Sequence, residues 1–241
     1  SSDLAGAARN RAIAAARGRW LAVLDADDAL PPGRLARLVA RAEAESLDAI
    51  ADLPEFWDLA ADAPAPEALQ PPADGRLERL DARALLASTA DPGAALDYGL
   101  LKPVAARRLA EAGLWRYPEG VRHGEDFLLH LEAVAAGARF GLLHERGYRF
   151  STRIGAVSGA WSEGSTTPVN YRAIAADTRR LRARLTAAPP PGLSAAEVAG
   201  LLDRRLVRLR ALERSYGWNT LWTGPRRRHL DWLRRDPRNA L

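Results

Sequence analysis

The sequence predicts an α/β fold, in which a mostly parallel sheet is flanked by helices and followed by a helical C-terminal extension. Short apolar runs alternate with longer helix-favouring segments in the first part of the chain. This alternation is typical of strands that are joined by crossover helices. Beyond it, the prolines at 189–191 separate two segments with the apolar spacing of helices. The chain contains no cysteine and no apolar run of 18 residues, which excludes a disulfide scaffold and gives no signal for a transmembrane helix.

The individual elements follow from local patterns. Apolar residues at helical spacing, with glycine or proline at the ends, predict helices at 5–17, from Pro32 onward, 77–87, 103–112, 125–137, from Pro168 onward and after Ser194. Short apolar runs predict strands at 20–24, 47–52, 139–143 and 147–154. The proline-rich stretch 60–75 is expected to be a loop. Ser194 and Glu197 have the spacing of a capping box.

Charge is distributed unevenly along the chain. Residues 1–170 contain 19 basic and 24 acidic residues, whereas residues 171–241 contain 16 basic and 6 acidic residues. A basic segment of this kind either binds a polyanion or forms a solvated helical face. An anionic membrane surface is a candidate partner, with Trp218, Trp222 and Trp232 as interfacial anchors. Nucleic acid is not expected, because the segment lacks the aromatic interleaving of a stacking platform.

Three aspartates follow the predicted strand WLAVL at 20–24. In an extended segment Asp25 and Asp27 face the same side, and Asp28 lies close by in the turn. Ligands of open α/β sheets bind beyond the carboxyl ends of strands, where Mg²⁺ is held by one or two carboxylates and by substrate phosphates. The aspartates therefore predict a site for Mg²⁺ or Mn²⁺ with a diphosphate. The alternative is that Asp28 only caps the helix that begins near Pro32.

Three blocks of sequence resemble the family 2 glycosyltransferases, which have the GT-A fold, a Rossmann-like architecture. The first is GAARNRAIAAARGRWLAVLDADDALPPGRL, with its Ala-Arg-Asn and Asp-x-Asp-Asp motifs. The second is YPEGVRHGEDFLLHLEAVAAGARF, which is similar to the acceptor half, and the third is GYRFSTRIGAVSG. The blocks occur in the order that the family has. The resemblance implies a GT-A-like domain at 1–160 and a basic helical extension at 161–241.

The resemblance also implies roles for individual residues. Asp126 would be the general base and Glu125 would position the acceptor. Arg9, Asp25, Asp27 and Arg153 would bind the nucleotide-sugar, and Asp25, Asp27 and Asp28 would hold the metal ion. The implied reaction transfers a sugar with inversion from a nucleotide-sugar to a hydroxyl of a saccharide or lipid-linked acceptor, in polysaccharide or glycolipid synthesis. Simpler interpretations remain for two of these sites: Arg9 could be a surface arginine, and Glu125 and Asp126 could serve only the start of their helix.

Parts of the family pattern are absent from the sequence. The family begins with a strand–helix–strand unit that contacts the nucleobase, and we expect it upstream of Ser1, since the chain contains no methionine. Ala156 stands where the third block usually has serine. A non-catalytic GT-A-like module is therefore the alternative function, and metal-dependent binding of a nucleoside diphosphate would distinguish the two. No secretory signal is visible, and the sequence favours a cytoplasmic protein that is peripheral to the inner membrane face.

Overall fold

The computed structural model describes residues 5–59, 61–121, 124–152 and 170–223. These residues form one sheet with helices on both faces. The strands β1 to β6 are Trp20–Ala22, Ala49–Asp58, Ala63–Pro64, Leu77–Leu80, Val104–Ala106 and Phe140–Thr152. The helices α1 to α7 are Ala5–Ala15, Arg34–Ala44, Ala82–Ala90, Arg107–Glu111, Glu125–Ala135, Tyr171–Ala187 and Ala195–Thr223. Two single-turn 3₁₀ helices lie at Glu67–Leu69 and Tyr98–Leu100.

The order of the strands confirms the α/β fold and corrects its details. The order is β1-β5-β2-β6-β4, with β3 paired to β2. In the described ranges β2 and β6 form the one parallel pair, and the other four pairs are antiparallel. The prediction of a mostly parallel sheet is therefore wrong. Helix α2 does connect two strands of the same direction, β1 and β2, but β5 lies between them and runs opposite to both.

Two of the predicted helices begin with strands instead. Residues 77–80 form β4, which pairs with β6. The Asp81 carboxylate accepts a hydrogen bond from the Ala84 backbone N–H at 2.7 Å, which fixes the start of α3 after Asp81. Residues 104–106 form β5, which is buried between β1 and β2 before α4 begins. Pairing with strands from elsewhere in the chain has overridden the local helical spacing at both places.

The two faces of the sheet are covered by different helices. Along β2, Ile50 faces the cluster that includes Leu38 and Ala42 of α2. Its neighbours Ala49 and Ala51 face the opposite cluster, which α3, α5, α6 and α7 share. This alternation of sides is the period of two that a strand imposes. The site described below lies at the end of this sheet, where β1 leads into the aspartates.

The C-terminal helices pack on the body of the chain. Helix α7 lies against α3, and apolar side chains of α6 and α7 join the buried cluster of α3 and α5. The predicted capping box is confirmed, because the Glu197 carboxylate accepts from the Ser194 backbone N–H at 2.8 Å. The predicted helix start at Pro168 and the boundary at 160 lie outside the described residues. No described helix combines the length and the apolar character that crossing a membrane requires.

A buried ion pair ties α2 to β2. Arg34 donates to both oxygens of Asp52 at 2.9 and 3.1 Å through Nε, and its Nη2 donates to the Lys102 carbonyl at 2.7 Å. Arg37 adds a bond to Asp52 at 3.0 Å. Burial raises the pKa of Asp52, although both arginines oppose the shift. A Cβ atom at Gly147 would lie 1.9 Å from Asp52 Oδ2, so this pair leaves room only for glycine there.

Arg34→Met is expected to lower the free energy of unfolding by ~3–5 kcal/mol, because it leaves the Asp52 carboxylate buried without its main partner. Denaturation in urea measures the change. Arg37→Met is the control, since Arg37 is 43% exposed at its side chain and should cost less than ~1 kcal/mol. Equal losses for the two variants would contradict a dominant role of the buried pair.

Candidate active site

The end of the sheet after β1 collects residues from distant parts of the chain. Asp25 follows β1, and Lys102 precedes β5. The two strands are antiparallel, with Ala22 opposite Val104, so Asp25 and Lys102 lie at the same edge. Helix α1 supplies Arg9, and the first turn of α5 supplies Glu125 and Asp126. We call these five residues the ion-pair cluster.

Within the ion-pair cluster, two cations bridge three carboxylates. Lys102 Nζ lies 2.8 Å from Asp25 Oδ2 and 2.6 Å from Asp126 Oδ2. Arg9 donates to Asp25 through Nη2, and its Nη1 lies 2.9 Å from Glu125 Oε1 and 3.6 Å from Asp126 Oδ1. The aspartate after β1 and the acidic pair at the start of α5 are thus joined through the same two basic side chains.

Burial and charge act in opposite directions on these groups. Burial opposes ionisation of Asp126, but Lys102 and Arg9 outweigh it and hold the pKa of its carboxyl below the usual range. Burial and the neighbouring Asp126 charge raise the pKa of Glu125. Burial disfavours the charge on Lys102, but Asp126 and Asp25 raise its pKa. Asp126 is therefore fully ionised at neutral pH, and Glu125 holds its proton more tightly.

Local sequence explains how Arg9 is positioned. Asn10 makes two hydrogen bonds to the backbone of Tyr117, through its Nδ2 to the carbonyl at 3.0 Å and from the Tyr117 N–H to its Oδ1 at 2.8 Å. These bonds hold α1 on the loop before α5. The Arg9 guanidinium lies over the Tyr117 ring at 5.1 Å, a cation–π distance. With a side chain only 17% exposed, Arg9 is not the surface arginine of the simpler interpretation.

A left-handed glycine begins α5. Gly124 has φ 81° and occupies the N-cap position. Residues other than glycine rarely adopt a positive φ, which explains the glycine of the Gly-Glu-Asp motif. Asp126 faces inward from the first turn and is 9% exposed. Its partner Lys102 shows that this carboxylate does more than complement the start of a helix.

The other two aspartates have different surroundings. Asp28 accepts hydrogen bonds from the Tyr148 hydroxyl and from the Ser151 backbone N–H, both at 2.8 Å. Burial raises the pKa of Asp28 to about 6, although these bonds favour its charged form. The capping alternative is wrong, because Gly33 is the N-cap of α2. Among the residues that the structure describes, Asp27 has no hydrogen-bond or ion-pair partner.

A preformed metal centre of several ligands is not found in the described ranges. No three histidine, cysteine, aspartate or glutamate side chains in those ranges converge as a metal-binding group. Asp25 is already neutralised by Arg9 and Lys102. Asp27 is the carboxylate with free oxygens, and Asp28 lies beside it. This donor set fits a cation that takes one or two carboxylates from the protein and its other ligands from phosphates and water.

The structure thus brings together most of the residues singled out in the sequence. Arg9, Asp25, Glu125 and Asp126 form one cluster, and Asp27 and Asp28 lie in the turn next to Asp25. Arg153 lies outside the described residues. Sequence reasoning missed three participants, which are Lys102, Tyr117 and Tyr148. A signal for Lys102 was present, because it is the only lysine among 35 basic residues. In a chain that otherwise uses arginine, a single buried lysine indicates a specific requirement.

Comparison with known proteins agrees with the motifs. The model of the family described as Glycosyl transferase family 2 matches residues 3–59. The succinoglycan biosynthesis protein ExoO of Rhizobium meliloti (strain 1021) is 35% identical over 153 residues, which are 64% of this chain and 43% of ExoO. ExoU of the same organism is 34% identical over 163 residues, with 64% and 44% covered. The chain therefore spans less than half the length of these two relatives.

Solved structures of similar fold confirm the architecture. TarS 1–349 of S. aureus in complex with UDP-GlcNAc superposes with a TM-score of 0.60 at 16% identity, over 96% of this chain and 59% of that one. TarS 1–349 alone gives a TM-score of 0.59 at 16% identity, over 90% and 55%. At this identity the likeness speaks for the GT-A fold. The matched segment, the similarity to the two Rhizobium proteins and this fold support the resemblance to family 2 of the glycosyltransferases that the motifs indicate.

Proposed function

We propose that this chain transfers a sugar from a nucleotide-sugar donor to a hydroxyl group of a growing polysaccharide, with inversion at the anomeric carbon. The observation that carries the proposal is the bridging of Asp25 and Asp126 by Lys102 and Arg9. These contacts bring Asp25 of the first sequence block next to Asp126 of the second block, which is similar to the acceptor half. A donor phosphate near Asp27 and an acceptor hydroxyl near Asp126 would then be neighbours.

In this proposal Asp126 is the general base. Its ionised carboxylate accepts the proton of the acceptor hydroxyl as the hydroxyl oxygen attacks the anomeric carbon. The bond between that carbon and the diphosphate oxygen breaks at the same time, and its electron pair leaves with the nucleoside diphosphate. Lys102 and Arg9 hold the carboxylate in place, and Glu125 orients the acceptor beside it. A single displacement of this kind inverts the configuration of the sugar.

A divalent cation fits the turn after β1. Asp27 would hold Mg²⁺ or Mn²⁺, with Asp28 as a second oxygen donor once its own proton is lost. When bound, the cation neutralises charge on the departing diphosphate. Asp25 is better placed to fix Lys102 and Arg9 than to bind the metal directly. This division of roles differs from the expectation that Asp25 and Asp27 face the nucleotide-sugar and the metal ion, with Asp28 as a further ligand.

Asp27→Ala is expected to abolish Mn²⁺-dependent binding of UDP, because it removes the carboxylate that is free to hold the cation. Isothermal calorimetry of UDP with and without Mn²⁺ on the full protein measures this directly. Asp203→Ala is the matched control, because Asp203 is an exposed aspartate of α7 that pairs with Arg182 of α6. Unchanged metal-dependent heat in Asp27→Ala would remove Asp27 from the site. Absence of such heat in the wild type would favour a non-catalytic module.

The relatives suggest the chemical class of both substrates. ExoO and ExoU carry names of succinoglycan biosynthesis, and TarS was crystallised with UDP-GlcNAc and with UDP. We therefore take a UDP-sugar as the donor, and an extracellular-type polysaccharide or its lipid-linked precursor as the acceptor. Both assignments concern the whole protein.

The basic segment from residue 161 onward is proposed to face an anionic membrane surface, where a lipid-linked acceptor would lie. On α7, Arg204 and Arg210 are exposed on either side of Val207, which is 66% exposed. Basic residues around an exposed apolar side chain are the composition that suits a membrane interface. Each basic residue near such a surface contributes ~1 kcal/mol, and salt screens the attraction.

Co-sedimentation with vesicles that contain phosphatidylglycerol is expected to fall as the salt concentration rises. Charge reversal by Arg204→Glu together with Arg210→Glu should weaken it further. Vesicles of phosphatidylcholine alone are the control and should bind little protein. Equal binding to both kinds of vesicle, or binding to neither, would contradict the membrane assignment without affecting the assignment of the active site.

A further inference from the structure

The turn that carries Asp27 is closed by its own backbone and then joined to β6. The Asp28 N–H donates to the Asp25 carbonyl at 3.1 Å, which makes a four-residue turn with Asp27 at its third position. Ala29 follows and exchanges two backbone hydrogen bonds with Arg149 of β6, both at 3.1 Å. Asp27 therefore lies at the tip of a turn whose position depends on how its two ends are held.

One side-chain hydroxyl contacts both ends of this turn. The Tyr148 hydroxyl accepts a hydrogen bond from the Asp25 N–H at 3.2 Å and donates one to Asp28 Oδ2 at 2.8 Å. The Ser151 N–H donates to the other oxygen of Asp28, also at 2.8 Å. Burial raises the pKa of Tyr148, so the hydroxyl keeps its proton and remains a donor at neutral pH. A single oxygen atom thus joins the first and the last residue of the turn.

The ring of Tyr148 is fixed by the buried ion pair of α2 and β2. Tyr148 is 1% exposed, and the Arg34 guanidinium lies over its ring at 5.1 Å. Arg34 in turn donates to Asp52 of β2. Two register shifts between β2 and β6 end where Tyr148 pairs with Pro54, and such irregularities re-aim the side chains beside them. The hydroxyl therefore has a defined position relative to the core of the sheet.

We propose that Tyr148 is a positioning residue for the donor side of the site, because its hydroxyl holds both ends of the turn and so keeps Asp27 where the cation binds. Asp27 itself has no hydrogen-bond or ion-pair partner in the part of the chain that the structure describes. Its carboxylate is placed only by the backbone that carries it. A backbone that is already ordered leaves less ordering to be done at the moment of binding. This inference rests on the proposed cation site and names the residue that builds it.

Tyr148→Phe removes the hydroxyl and keeps the ring that packs on Arg34. In the full protein with saturating UDP, the dissociation constant for Mn²⁺ from calorimetry should rise ~tenfold, because both hydrogen bonds of the hydroxyl to the turn are lost. Turnover with a UDP-sugar should recover at saturating Mn²⁺, since binding is weakened and the chemical step is unchanged. Excess Mn²⁺ would not restore a variant that was only poorly packed.

Amide hydrogen exchange, measured by NMR, tests the turn without any metal ion. In Tyr148→Phe the amides of Asp25 and Asp28 should exchange ~tenfold faster than in the wild type, because the turn opens more often. Tyr98→Phe is the matched control: it removes a hydroxyl that contacts Glu78, and it should change neither the exchange at the turn nor the Mn²⁺ affinity. Asp28→Ala removes the acceptor of the Tyr148 hydroxyl and should also accelerate exchange at Asp25, so it serves if Tyr148→Phe does not fold.

Three results would overturn the role of Tyr148. They are an Mn²⁺ affinity of Tyr148→Phe equal to that of the wild type, exchange of the turn amides at the wild-type rate, and changes of the same size in Tyr98→Phe. Absence of Mn²⁺-dependent UDP binding in the wild type would instead overturn the proposed cation site, and with it the role of Tyr148.

Discussion

Asp126→Asn is expected to lower turnover ~10²–10⁴-fold, the usual contribution of general-base catalysis. Asparagine keeps the size of the side chain, and its oxygen can still accept the hydrogen bond from Lys102. It cannot take a proton from the acceptor hydroxyl. The dissociation constant for UDP with Mn²⁺ should change little, because Asp27 and the turn after β1 are untouched. Steady-state kinetics with a UDP-sugar and calorimetry with UDP measure the two effects separately.

Glu125→Gln is the matched comparison, since Glu125 lies next to Asp126 and contacts the same Arg9. A milder loss, mainly in the KM for the acceptor, is expected if Glu125 orients the acceptor. A dead Glu125→Gln enzyme beside an active Asp126→Asn enzyme would assign the base to Glu125. If both variants remained active, neither carboxylate would be the base.

The dependence of the rate on pH separates the same alternatives. The pKa of Asp126 is held below its ordinary value of 3.8, so a base at this position stays ionised throughout the range above that value. The rate should then show no acid limb between pH 4.5 and neutrality that belongs to this group. The pKa of Glu125 is raised above its ordinary 4.5. At saturating Mn²⁺, so that protonation of Asp28 does not limit the rate, a base at Glu125 would give a rate that falls with decreasing pH while the pH is still above 4.5.

The three aspartates after β1 show which features of the site the sequence can predict and which it cannot. Asp25, Asp27 and Asp28 follow a strand in the sequence, and this local order was enough to predict where they lie. Their partners were not predictable, because they come from remote segments. The hydroxyl that binds Asp28 belongs to Tyr148, 120 positions away. Such contacts depend on which strands become neighbours, and a local pattern does not contain that information.

The same limit explains the error in the sheet. The apolar run of β1 and the amphipathic helix α2 correctly predicted a crossover to β2. The insertion of β5 between them is a property of the complete strand order. It also brings Lys102 to the edge where Asp25 follows β1, and so it creates the ion-pair cluster. The misplaced helix at 103–112 and the missed lysine therefore have one cause, which is the unrecognised strand β5.

Lys102→Met is expected to lower the free energy of unfolding by ~3–5 kcal/mol at neutral pH, because methionine fills the space but removes one of the two cations that Asp25 and Asp126 share. Lys102 is only 5% exposed, so water cannot replace it readily. Urea denaturation measures the loss. Lys102→Arg keeps the charge with a larger and differently shaped head group, and it should retain more of the stability than methionine does.

Lowering the pH should reduce the difference between wild type and Lys102→Met. In the wild type the pKa of Asp126 is depressed on folding, so its ion pair contributes fully above the unfolded value of 3.8 and is lost as the pH falls below it. In Lys102→Met the main opposition to burial is gone, and the pKa of Asp126 should rise. The variant is then most unstable at neutral pH, where folding keeps the Asp126 carboxylate buried with the longer contact to Arg9 in place of the short one to Lys102.

A double variant tests whether this loss comes from the ion pair or from packing. Asp126→Asn should offset part of the cost of Lys102→Met, since asparagine needs no cation, and the two changes together should cost less than their sum. The acid limb of the rate profile should also move to higher pH in Lys102→Met alone. A strictly additive double variant with an unmoved rate profile would mean that Lys102 only fills space. A non-additive one would show that this single lysine keeps the proposed base ionised inside the protein.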